Sequence, residues 1–155
     1  MTLNKRLTNN IAMFSLVILA LLYWQLFDFL RWDMFDSPSF VGAARQMFGL
    51  EGGYNFQSRL SKPLSLVIPG ALEYVAGLEA QYGFLIQSTL SYFGCALLIK
   101  GIVFKLTNRY DLSLYAMYIY IFCQPFAIFS LMILTDAPGW FVGLYIIYAA
   151  VNKAK

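Results

Sequence analysis

Asp136 lies in Ile133-Leu134-Thr135-Asp136-Ala137-Pro138-Gly139-Trp140, a lone carboxylate at the joint of two long apolar stretches. Placing a carboxylate at the edge of a bilayer is costly, and such residues commonly mark a site. Two further acids, Asp33 and Asp36, follow the first apolar stretch of the chain in Trp32-Asp33-Met34-Phe35-Asp36. Histidine is absent, which removes Ser-His-Asp, Cys-His and His-ligated zinc chemistry. Acid–base work therefore falls to Asp, Glu, Lys or Tyr. Asp36 is suited to take a proton from a hydroxyl nucleophile or to bind a divalent cation. It is equally suited to cap the helix that Ser37-Pro38 begins, and both readings stand. Asp33 has the same chemistry but reads first as a solvated neighbour. Asp136 has its own capping alternative, because Pro138 fits the first turn of a helix starting there.

Arg59-Leu60-Ser61-Lys62-Pro63 supplies the positive counterpart. Two cations three residues apart at a helix start can hold a lipid phosphate, aided by the free backbone N–H groups of the first turn. Ordinary headgroup contact is the simpler reading of the same pair. No basic run points to nucleic acid. Cys95 and Cys123 lie in apolar stretches without CxxC spacing and read as small core hydrophobes.

Sixty per cent of the 155 residues are hydrophobic and only 12% are charged. A soluble domain is nearer about 45–50% and 25%, so the class is an integral membrane protein of one domain. Four stretches approach the ~20 residues that a crossing needs: 11–30, 82–104, 112–134 and 137–151. The first exceeds a signal-peptide core and is followed by no small-residue cleavage site, so it reads as a retained signal anchor.

Between the first two spans lies a mixed segment, 31–79, with two amphipathic helices expected near 37–48 and 63–78. In the first, Phe40, Val41, Ala44, Met47 and Phe48 share a face, and Gly49 is placed to end it. In the second, Leu64, Val67, Ile68, Ala71, Leu72 and Val75 share a face. This second helix is short for a crossing and carries Pro69-Gly70 and Glu73, which predicts an interfacial or re-entrant element. Pro125 predicts a kink in the third span. The tyrosines there, Tyr110, Tyr115, Tyr118 and Tyr120, read as packing residues.

Charge decides the orientation. With four crossings, Lys5, Arg6, Lys100, Lys105, Arg109, Lys153 and Lys155 all fall on one side. The positive-inside rule makes that side cytoplasmic. The expectation is an all-α, four-span bundle in a plasma membrane, prokaryotic in type, with both termini cytoplasmic and 31–79 outside. Arg31, Arg45, Arg59 and Lys62 are then positive charges on the outer side that need partners.

In this order the elements resemble the amino-terminal part of the polytopic GT-C type glycosyltransferases, among them protein O-mannosyltransferases and lipid A aminoarabinose transferases. Asp36-Ser37-Pro38-Ser39-Phe40-Val41-Gly42-Ala43-Ala44 is similar to their first-loop acidic motif and its helix. Arg59-Leu60-Ser61-Lys62-Pro63-Leu64 is similar to their Lys-Pro turn, and Thr135-Asp136-Ala137-Pro138 to their second acidic position. The resemblance implies transfer of a sugar from a polyprenyl-phosphate donor to an acceptor on the outer side. It implies Asp36 as base, Asp136 and Asp33 as supporting acids, and Arg59 and Lys62 as contacts to the carrier phosphate. It implies no fixed cofactor, since a divalent metal serves only some members. Those enzymes have more spans than four, so the resemblance also implies a partner subunit or a missing carboxy-terminal part. The rival expectation is a non-catalytic four-helix assembly or transporter-accessory protein in which the same acids only cap helices.

Overall fold

The computed structural model describes residues 8, 10–12, 14–19, 21–22, 37–50, 63–123 and 136–153. The architecture is all-helical, and no strand occurs among the described residues. The elements are α1 (Asn10–Leu19), α2 (Ser37–Met47), α3 (Pro63–Ala76), α4 (Ala80–Thr107), α5 (Tyr110–Phe122) and α6 (Asp136–Lys153).

At 28 residues, α4 is about 42 Å long. It is long and apolar enough to cross a membrane by length and composition. The other elements are arranged around it. Gly94 and Gly101, one heptad apart on α4, receive Phe141 and Tyr148, one heptad apart on α6. A Cβ at Gly94 would come within 2.6 Å of the Phe141 ring, and one at Gly101 within 2.8 Å of the Tyr148 ring. Both partners advance together, so α4 and α6 run parallel. The chain turns between α4 and α5 at Asn108, whose left-handed φ of 56° lets its N–H close on Phe104 O at 2.8 Å. Antiparallel packing follows, with Phe104 against Tyr110 and Tyr92 against Tyr120.

The central core joins α1, α4 and α5 through Ala12, Leu16, Tyr92, Cys95, Ala96, Met117, Tyr120 and Ile121. Ser15 Oγ and Tyr118 Oη lie 2.8 Å apart and tie α1 to α5. Of the α5 tyrosines, Tyr120 is buried, Tyr110 and Tyr118 are half-buried, and Tyr115 is exposed. Both cysteines are free. Outward-facing positions carry Phe14, Leu21, Leu90, Ile119 and Ile146, all exposed apolar side chains. Exposed apolar side chains of this kind are costly in water.

The expected kink at Pro125 lies outside the described residues, but its approach is visible. α5 stops at Phe122, and Cys123 is extended with ψ 99°. A proline has no N–H to give the carbonyl four residues earlier, which here is Ile121. That carbonyl accepts the Tyr92 hydroxyl at 2.6 Å.

α2 and α3 form a second, smaller core on the first turns of α4: Phe40, Val41, Ala43, Ala44, Leu66, Ala80, Phe84 and Leu85. Gly49, at φ +72°, ends α2 as expected, and Leu50 N–H reaches back to Arg45 O at 3.0 Å. α3 runs unbroken through Pro69. The Pro69-Gly70 pair is a contact rather than a break. A Cβ on Gly70 would lie 2.6 Å from Ala44 O, and one on Gly83 would lie 2.7 Å from Pro69 Cα. Small residues thus let three backbones approach, with Leu66, Pro69 and Gly70 facing inward. The opposite face of α3 leaves Leu64, Ile68 and Val75 exposed.

Candidate functional site

Gly77, at φ +66°, ends α3, and Gly77–Glu79 is all that separates it from α4. The free N–H groups of the α4 amino terminus therefore sit beside the last turn of α3. Glu73 uses this proximity. Its Oε2 accepts the Ala80 N–H at 3.0 Å, while its Oε1 lies 2.9 Å from Arg45 Nε of α2. One carboxylate thus links three helices, and it supplies the cap that the side chain of Glu79, the residue preceding α4, does not make. Arg45, one of the charges expected to need a partner, is paired with Glu73. The pairing is coulombic, since Nε has no aligned hydrogen bond despite the short distance.

A cavity of about 270 Å³ opens here, lined by Val41, Arg45, Glu73, Glu79, Ala80 and Gln81. Gln81 is buried and donates its amide N–H to Glu79 Oε2, a hydrogen bond that fixes which end of the amide faces which way. Gln81 Oε1 has no hydrogen-bond partner, and leaving such a group unmet costs about 1–3 kcal/mol. Below this point α4 buries a run of polar residues, Gln87, Ser88, Thr89 and Ser91.

The register of the α4–α6 pair locates the start of α6. With Phe141 at the level of Gly94, Asp136 begins its helix at the level of Thr89, toward the same end of the bundle as the cavity. The backbone of α6 puts this acid at the cavity end; its carboxylate lies outside the described residues. So do Asp33, Asp36, Arg59 and Lys62. At the opposite end of α4 are Lys105, Arg109 and, by the same register, Lys153. Arg109 is fully exposed and paired with Asp111, whose hydrogen bond raises the guanidinium pKa; the same bond holds the Asp111 carboxyl below its usual range. Glu73, Glu79 and Arg45 thus lie at one end of α4, and Lys105, Arg109, Lys153 and Asp111 at the other.

Among the described residues, no three Cys, Asp or Glu side chains stand close enough to hold a metal ion. Arg45, Glu73, Glu79 and Gln81 were not singled out as site residues from the sequence. The available signal was an arginine and a glutamate on otherwise apolar helices, and two glutamines and several hydroxyls in the first half of an apolar span. No family model, no curated protein and no solved structure matches the chain.

Proposed function

We propose that the chain is a membrane glycosyltransferase module of GT-C type, moving a sugar from a polyprenyl-phosphate donor to an acceptor on the extracytoplasmic face. The observation that supports this reading is the shared end of the bundle: the first residue of α6, Asp136, starts toward the same end as the cavity beneath the α2–α3 pair. The acids and the polar half of α4 then lie on the outer side, and the basic end faces the cytoplasm, as positive-inside asymmetry requires.

In this reading the acceptor hydroxyl attacks the anomeric carbon. Its oxygen forms the new C–O bond as the bond to the carrier phosphate oxygen breaks. The hydroxyl proton passes to Asp36, and Arg59 and Lys62 offset the charge growing on the departing phosphate. Asp136 and Asp33 hold the acceptor side negative. The exposed apolar face of α3, with Leu64 and Val75, gives the polyprenyl tail a surface to lie against.

Donor binding can be read without turnover. A photoactivatable polyprenyl-phosphate sugar is expected to label the chain near 59–75, with labelling competed by the unmodified donor and reduced by Arg59→Ala. Labelling that is neither competed nor reduced contradicts the proposal. A second reading, a non-catalytic assembly subunit, is favoured by one observation: both oxygens of Glu73 are committed to structure. Under that reading Asp36 and Asp136 act only on their own helices, and no donor labelling occurs.

A further inference from the structure

We propose that the end of the bundle formed by the α4–α5 turn and the last turn of α6 is a docking surface for anionic lipid headgroups. Lys105 lies in the last turn of α4, Arg109 immediately precedes α5, and Lys153 ends α6. The seating of Phe141 on Gly94 and of Tyr148 on Gly101 places Lys153 at the level of Leu106. Lys100 stands about 7.5 Å farther up α4 than Lys105. Its ammonium nitrogen lies 5.3 Å from the centre of the Tyr110 ring, and Tyr110 opens α5. Attraction to that ring ties its charge to the turn end. Among the described residues Asp111 is the single acid here, and it is bound to Arg109. Four cations against one carboxylate leave this end strongly positive. The excess belongs to the end as a whole and does not depend on how each lysine is bonded locally.

The distribution of the charge selects the partner. Lys100 and Lys105 are five positions apart, roughly 140° around the helix, and Arg109 and Lys153 lie on other elements. The four are therefore spread around the helix ends and do not converge on a point. A single phosphate is held by donors that converge on it, whereas a layer of anionic headgroups meets dispersed cations at many places. Apolar side chains lie among these charges. Leu106, 68% exposed, stands between Lys105 and Arg109 in the chain, and Leu112 and Tyr115 are exposed on the first turns of α5. A soluble polyanion gives such side chains no apolar cover, and the acyl region beneath a headgroup layer does.

This surface lies at the end of α4 away from the cavity, and its test asks nothing of glycosyl transfer. The full chain is reconstituted in phosphatidylcholine bilayers holding a trace of spin-labelled phosphatidylglycerol or, in a matched sample, spin-labelled phosphatidylcholine. Electron paramagnetic resonance reads the fraction of each label that the protein immobilises. Phosphatidylglycerol is expected to associate at least about fivefold more strongly at low salt, the effect of a single surface cation. The preference should fall toward one in about 1 M sodium chloride, where charges are screened within about 3 Å. The double variant Lys105→Gln/Lys153→Gln should bring the preference below about twofold, and Lys105→Arg/Lys153→Arg should keep it. Circular dichroism reports that each variant is folded. Equal association of the two lipids overturns the proposal, as does an undiminished preference in the folded glutamine variant. If that variant does not fold, the unaltered chain decides, because a preference that survives the high salt overturns the proposal as well. Loss of the preference to millimolar inorganic phosphate at constant ionic strength also overturns it, since the surface then takes a single anion.

Discussion

Tyr92 of α4 donates its hydroxyl to the main-chain carbonyl of Ile121 at 2.6 Å, with both residues fully buried. The carbonyl is one of the last of α5, which ends at Phe122 with Cys123 extended, so no helical N–H reaches it. An apolar surround makes that compensation valuable, since no water reaches it. The bond also fixes where α5 ends against α4.

Tyr92→Phe should therefore destabilise the folded bundle by about 1 kcal/mol without changing helix content. Thermal unfolding in detergent, followed by circular dichroism, measures it.

Glu73 offers a graded test of the α2–α3–α4 junction. Glu73→Gln keeps an acceptor for the Ala80 N–H and loses the ion pair with Arg45, whereas Glu73→Ala loses both. The expected order of stability is wild type, Glu73→Gln, Glu73→Ala. The alanine variant should be destabilised by about 1–2 kcal/mol, the range of a lost helix cap. The Arg45 partner is 41% exposed, so its share is the smaller one. Equal losses in the two variants would show that the cap contributes nothing.

Gly83→Ala should cost about 1–3 kcal/mol, because the new methyl would meet Pro69 Cα, a backbone atom that cannot rotate away. Gly143→Ala on α6 is the control, since nothing lies within 4 Å of a Cβ there. The comparison by chemical denaturation isolates close packing from helix propensity, which favours alanine at both sites.

Much of this arrangement is legible in the residues, and the parts that are not share a physical reason. Pro38, Gly49 and Pro63 act through local backbone geometry, so the spans of α2 and the start of α3 can be read from the chain. Pro69-Gly70 carries the same local signature as a break. It serves instead as a contact, because Ala44 and Gly83, distant in sequence, fill the space beside it. Glu73 caps a helix from outside that helix and pairs with an arginine 28 positions earlier; neither relation leaves a local pattern. The polar run from Gln81 to Ser91 is visible in the sequence, but hydropathy averaged over a span hides it. Asp136 is legible as the start of α6. The side chains of Asp33, Asp36, Arg59, Lys62 and Asp136 lie outside the described residues, so their convergence remains part of the proposal.

Orientation is tested by labelling from outside intact cells. Single cysteines at Gln46 and Arg109, both exposed and near opposite ends of α4, are placed in a chain whose Cys95 and Cys123 are alanine. An impermeant maleimide is expected to label position 46 and to spare 109. Labelling of 109 alone would invert the bundle and put the cavity on the cytoplasmic side.

The claim of glycosyl transfer is tested most directly by turnover. The complete assembly, containing this chain, is given a radiolabelled sugar on polyprenyl phosphate together with an acceptor-bearing membrane extract. Loss of a general base typically costs about 10²–10⁴ in rate. Asp36→Asn should therefore reduce transfer by at least about a hundredfold while donor labelling and thermal stability stay at wild-type values. Transfer by Asp36→Asn at the wild-type rate, or no transfer by the intact assembly that binds the donor, would contradict the account.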